Sequence, residues 1–188
     1  MSPEAYAAAF GVGLLLAVLG FIIVADYNAV IALRQRIDKA WANVDVVLKQ
    51  RYDQLPALMD AVRGLMAFEQ DVLVRVTQAR AAYSPTEPIP AKAAHAEATT
   101  AAVRSLLAVV EAYPEVKSQQ NVLDLQDEIE RLESMIADRR ELYNDQVYRY
   151  NTRIATLPTL VLARALAWRP REFFVAEPGA ATRPDTTL

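Results

Sequence analysis

Residues 5–25 read AYAAAFGVGLLLAVLGFIIVA, 21 consecutive positions without a charge, bounded by Glu4 and Asp26. About 20 apolar residues suffice for a helix to cross the hydrocarbon of a bilayer, and a core helix of a globular domain rarely stays uncharged that long. A cleaved signal peptide would show a positive n-region and an apolar run of about 7–15 residues. Here only Ser2, Pro3 and Glu4 stand between Met1 and a longer run. The stretch therefore predicts a transmembrane anchor over residues 1–25. No basic residue precedes the run, whereas Arg34, Arg36, Lys39, Lys49 and Arg51 follow it. Positive charge gathers on the cytoplasmic side, so the expectation is a single-pass inner-membrane protein with its N-terminus outside and the rest in the cytoplasm. Ala5, Ala9, Gly13 and Ala17 recur every four residues. Ala9, Gly13 and Ala17 are candidates for a close helix–helix contact in the membrane, although an alanine-rich span with no partner carries the same pattern.

Beyond Asp26 the apolar residues keep a helical period. Val30, Leu33, Ile37, Trp41, Val44, Leu48, Tyr52 and Leu55 step by three or four. Leu58, Met59, Val62, Leu65, Met66, Leu73 and Val76 continue the stripe, as on a helix that buries one face. Pro56 interrupts it, and proline either kinks a helix or starts a new one. The preserved phase favours a kink, while Asp53 could cap a second helix after a reversal. Tyr83–Pro90, YSPTEPIP, carries three prolines and reads as a loop. A helix is expected from about Ala91 to Ala112. The last long helix is the most regular, with Val122, Leu125, Ile129, Leu132, Ile136, Tyr143, Val147, Tyr150, Ile154 and Leu157 on one near-heptad, coiled-coil-like seam that Pro158 closes. No stretch alternates with period two, so no sheet is expected. The fold class is all-α: an N-terminal transmembrane helix followed by an antiparallel long-helix bundle over residues 26–158, an amphipathic segment over 159–175 and a disordered tail over 176–188.

Composition narrows the chemistry. The chain of 188 residues has a net charge of −3, no cysteine and a single histidine, His95. Without cysteine there is no disulfide, thiolate ligand or cysteine nucleophile, and one histidine falls short of a zinc site. The acidic residues of the last helix lack the Glu-x-x-His pairs of di-iron bundles and read as a solvated face. Gly11 and Gly13 lie in the apolar run, so they form no nucleotide loop, and no basic stripe invites nucleic acid. No cofactor, metal or catalytic residue is expected.

Several stretches carry a family resemblance: Tyr27-Asn28 after the span, LRQRIDKAWANVDVVLKQRYDQLPALMDAV over Leu33–Val62, Glu111-Ala112-Tyr113-Pro114, RRELYND over Arg139–Asp145, and YNTRIATLP over Tyr150–Pro158. Together they resemble the LemA family of bacterial membrane proteins, from about Tyr27 to Phe174. The most specific part surrounds Ala40-Trp41, Arg51, Asp53 and Pro56. The resemblance implies one N-terminal span, a bundle of long helices and no established enzymatic activity. The family is similar to a magnetosome-associated membrane protein, which implies a part in organising membranes or partners. The proline-rich linker and the tail after Phe174 depart from the pattern.

Three groups of residues remain as candidates. Arg139 occupies a seam position, and a buried guanidinium needs a carboxylate; Asp45, Asp53 and Glu69 are the expected partners. A binding site and a structural pair fixing helix register both satisfy that pattern. Tyr143-Asn144 and Tyr150-Asn151 recur at a spacing of seven on one face, which suggests packing and bonds across helices. Arg164, Trp168, Arg169, Arg171, Phe173 and Phe174 mix aromatics with arginines, as interfacial segments do; packing across the base of the bundle is the alternative. The expected partners are the lipid bilayer and an unidentified protein, with homo-oligomerisation through the span as the other reading.

Overall fold

The computed structural model describes residues 3–63, 70–82, 84 and 86–175. Among them there are six helices and no strand: α1 (Pro3–Arg63), α2 (Gln70–Ala81), α3 (Ile89–Glu111), α4 (Pro114–Lys117), α5 (Gln120–Ala155) and α6 (Thr159–Ala165). The described chain divides into two compact units, one of residues 1–39 and 145–171, the other of residues 40–144 and 172–188.

Helix α1 is a single helix of 61 residues, and Pro56 lies inside it. The chain therefore does not reverse at Pro56. The described part of α1 reaches Arg63 and that of α2 starts at Gln70, so Leu73 and Val76, expected to continue the stripe, lie on α2. Leu65, Met66 and Glu69 lie outside the described residues. Helix α3 begins beside the prolines of the loop, with Pro90 in its first turn. Proline suits that place, because its missing N–H would have no partner there anyway.

In the unit formed by residues 40–144 and 172–188, α1 supplies Val44, Leu48, Leu55, Leu58 and Val62 to the core. Helix α3 adds Val103, Leu106 and Val110, and α5 adds Val122, Ile129 and Leu132. The contacts fix the directions. Trp41 meets Tyr143 and Arg51 meets Glu133, so α5 runs antiparallel to α1. Asp45 meets Lys92 and Tyr52 meets Thr99, so α3 runs parallel to α1. Helix α2 packs on α3. The all-α class and the antiparallel long-helix arrangement follow directly.

In the unit formed by residues 1–39 and 145–171, the second half of α5 returns to the foot of the apolar run, where Arg153 pairs with Asp26. After the turn at Leu157–Pro158, α6 occupies only the first part of the expected amphipathic segment. It ends in a left-handed cap. The N–H of Trp168 donates to the carbonyl of Ala163, and the N–H of Ala167 donates to that of Arg164. Ala167 sits at φ 51°, the place where such caps usually carry glycine. From Arg169 to Val175 the chain is not helical.

Candidate functional site

The first cluster lies in the core of the second unit. Arg51 is fully buried. Its Nη1 donates to Glu133 Oε1 at 2.7 Å and to Thr100 Oγ1 at 2.8 Å, and its Nη2 donates to the carbonyl of Ala96 at 3.1 Å. The Thr100 hydroxyl donates to the other Glu133 oxygen at 2.8 Å. One guanidinium from α1 thus ties α3 to α5. A buried ion pair is weak evidence for net stability, but it penalises any register that separates its members. Next to it, Lys92 donates to Asp45 at 2.7 Å, and its ammonium lies 5.2 Å from the centroid of the Trp41 ring. The same ring meets Tyr143 edge-on at 5.5 Å and Phe174 at 5.8 Å.

The sequence pointed to a different arginine. Arg139 is half-buried, and among the described residues it makes no ion pair with Asp45 or Asp53. Asp45 holds Lys92, Asp53 is exposed, and Glu69 falls outside the described residues. The long arginine stem lets a seam position carry its charge outward. The buried guanidinium is Arg51, and the sequence did contain its signal. The three-four series Ile37, Trp41, Val44, Leu48 leads to position 51 before Leu55, Leu58 and Val62, which a reading restricted to apolar residues skips.

The tyrosine–asparagine pairs hold a segment of chain rather than another helix. In the second unit, Tyr143 donates its hydroxyl to the carbonyl of Glu172 at 2.8 Å. Asn144 accepts from the N–H of Phe174 at 2.8 Å and donates to its carbonyl at 3.2 Å. In the first unit, Tyr150 donates to the carbonyl of Arg169 at 3.1 Å. Asn151 accepts from the N–H of Arg171 at 2.8 Å and donates to its carbonyl at 2.9 Å. Each asparagine presents one acceptor and one donor to a single residue's backbone, as a neighbouring strand would. Non-helical chain packed on a helix would otherwise leave those groups unpaired.

Phe174 is buried, 3% exposed, against Trp41. It belongs to the core of that unit. Phe173 and Arg171 are half-buried, Arg171 lying 3.7 Å from Asp38, and Arg164 and Arg169 are exposed. The Trp168 ring lies 5.9 Å from that of Tyr27.

In α1, large apolar side chains between Tyr6 and Val24 are exposed, among them Phe10, Leu14, Leu15 and Phe21. The helix is long and apolar enough to cross a membrane, and its most apolar stretch is not buried among the described residues. Ala9 and Ala17 are exposed, and a Cβ added at Gly13 would meet nothing within 4 Å.

A groove of about 710 Å³ runs between α3 and α5, with Glu97, Arg104, Ser134 and Arg140 on its walls and Thr100 and Glu133 among its lining residues. His95 is half-buried, its Nε2 3.4 Å from Glu87 Oε2. Among the described residues no group of three or more metal-binding side chains converges. On the solvent face of α5, two hydrogen bonds from Arg131 hold the Glu128 carboxyl below its ordinary range, and the same contact raises Arg131.

The model of the LemA family matches residues 40–187. The match begins later than Tyr27 and continues beyond Phe174, so it includes the tail that the sequence alone had set apart from the family pattern. No match to a curated protein accompanies it.

Proposed function

Because this chain belongs to the LemA family, we propose that it is a membrane-anchored, non-enzymatic helical scaffold or adaptor, held in the inner membrane by one N-terminal span and presenting its bundle to the cytoplasm. The family is not known as an enzyme family. The observation that carries the reading is α1 itself. It begins as an apolar helix whose large side chains have no cover among the described residues, and the same helix continues into the face that builds the bundle core. A contiguous apolar surface of that length is costly in water and stable in lipid. The orientation rests on Arg34, Arg36 and Lys39 following the run, with no basic residue ahead of it.

Cross-linking in intact cells, then detergent extraction and mass spectrometry, tests the role. A reproducible, near-stoichiometric second protein supports the adaptor. Capture of this chain alone overturns it in favour of a self-assembling protein that organises a membrane. In that case Gly13→Leu or Ala17→Leu, which would bulk out the ridge formed with Ala9, should weaken the cross-linked oligomer.

A further inference from the structure

A second, smaller pocket lies within the unit that contains the apolar run. Its volume is about 360 Å³, and Ile154, Leu160, Ala163, Arg164, Trp168 and Arg169 are among the residues lining it. Two contacts in the same unit set its level. Arg153, the neighbour of Ile154, is paired with Asp26, the first charged residue after the run. Trp168 lies against Tyr27, the next residue of α1. The end of α5, α6 and the turn into Arg169 are therefore at the height where the apolar run stops. That is where tryptophan and tyrosine gather at membrane–water boundaries.

The chemistry of the pocket fits that level. Arg164 and Arg169 are both exposed, and no residue lining the pocket is acidic. The neighbouring Arg153 and Arg171 are engaged with Asp26 and Asp38, whereas no ion pair holds Arg164 or Arg169 among the described residues. Apart from Asn151, whose amide is engaged with the Arg171 backbone, the remaining wall is apolar. The left-handed cap at Ala167 and the hydrogen bond from Tyr150 to the Arg169 carbonyl fix the backbone on which Trp168 and Arg169 sit. Two guanidinium groups beside an apolar wall, at the depth of a headgroup, suit a phosphodiester, which arginine binds through paired donors.

We propose that this pocket binds the headgroup of an anionic phospholipid, with its phosphate on Arg164 and Arg169 and its glycerol end against Leu160 and Ala163. The proposal rests on reading α1 as a membrane span. Basic side chains near an anionic surface each contribute about fivefold in affinity.

The test uses the full chain extracted in detergent, with dioleoyl phosphatidylglycerol and dioleoyl phosphatidylcholine added in equal amounts and retained lipid read by native mass spectrometry. The wild-type chain should keep one phosphatidylglycerol in preference. Arg164→Gln with Arg169→Gln should lower that retention by roughly 30-fold, while Arg171→Gln, whose arginine already faces Asp38, should retain it. Circular dichroism of each variant confirms the fold. Equal retention by the wild type and the double variant, or no preference in the wild type, overturns the lipid site. Extraction of membranes with alkaline carbonate separates the two levels of failure. A chain released from the membrane pellet overturns the span and the lipid site together. A chain that stays in the pellet but retains lipid independently of the two arginines overturns the lipid site alone.

Discussion

Arg51 and Glu133 form one pair, yet their removal should not cost the same. The Arg51 side chain has no access to solvent, whereas that of Glu133 is 26% exposed and lines the groove between α3 and α5. In Glu133→Ala the guanidinium stays buried, with Thr100 and the Ala96 carbonyl as its only acceptors among the described residues. Its Nε already finds no partner there. Breaking a buried pair from one side costs about 3–5 kcal/mol, and water reaching in from the groove places this case near 3. In Arg51→Met the charge leaves and an apolar stem remains. Glu133 then keeps Thr100 and takes water from the groove, while the Ala96 carbonyl loses a donor, a loss of about 1–1.5 kcal/mol. Thermal unfolding of the full chain in detergent, followed by far-ultraviolet circular dichroism, separates the two. At about 2–4 °C per kcal/mol for a chain of this size, Glu133→Ala should lower Tm by roughly 6–12 °C and Arg51→Met by at most about half of that. Equal shifts, or a larger shift for Arg51→Met, would refute the assignment of Arg51 as the member that cannot reach water.

Three further outcomes follow from the geometry. Asn144→Ala and Asn151→Ala each strip two hydrogen bonds from one backbone residue, at about 1–3 kcal/mol apiece, and should speed proteolytic cleavage between Arg169 and Val175; unchanged cleavage would count against the clamps. Ala167→Gly relieves a left-handed alanine that costs about 1–2 kcal/mol, offset by glycine's extra backbone entropy of about 0.5–1 kcal/mol, so a small rise in Tm is expected, whereas Ala167→Val should lower it. Glu128 has its carboxyl held low by Arg131, so their contribution is complete above the ordinary carboxylate range and fades as pH falls through the lowered value; Glu128→Gln should flatten that acid limb in a pH series of melts, most visibly at low salt.

Much of the fold was legible because burial and period agree. On the α5 seam, Val122, Ile129, Leu132, Ile136, Tyr143, Val147, Tyr150 and Ile154 are buried. Leu157, the final position named, is 74% exposed because α5 has already ended at Ala155. Pro56 drew attention to a place where the helix continues. The candidate clusters were harder. A buried arginine is invisible to a search for apolar residues, and Arg139, which shares a seam with them, can carry its charge outward. The tyrosine–asparagine repeat was seen as a pattern, but its partner is backbone from Arg169 to Phe174, and a backbone partner leaves no complementary residue type in the sequence to find.

The central claim is that α1 crosses a bilayer once and places its two ends on opposite sides. The chain has no cysteine, so single cysteines report without background. Ser2→Cys and Ser134→Cys variants, expressed separately in intact cells, are treated with a membrane-impermeant maleimide before and after permeabilisation. The account predicts labelling of position 2 in intact cells and of position 134, which is exposed on α5, only after permeabilisation. Labelling of both positions to the same extent in intact cells would contradict the crossing, and labelling of position 134 alone would reverse the orientation.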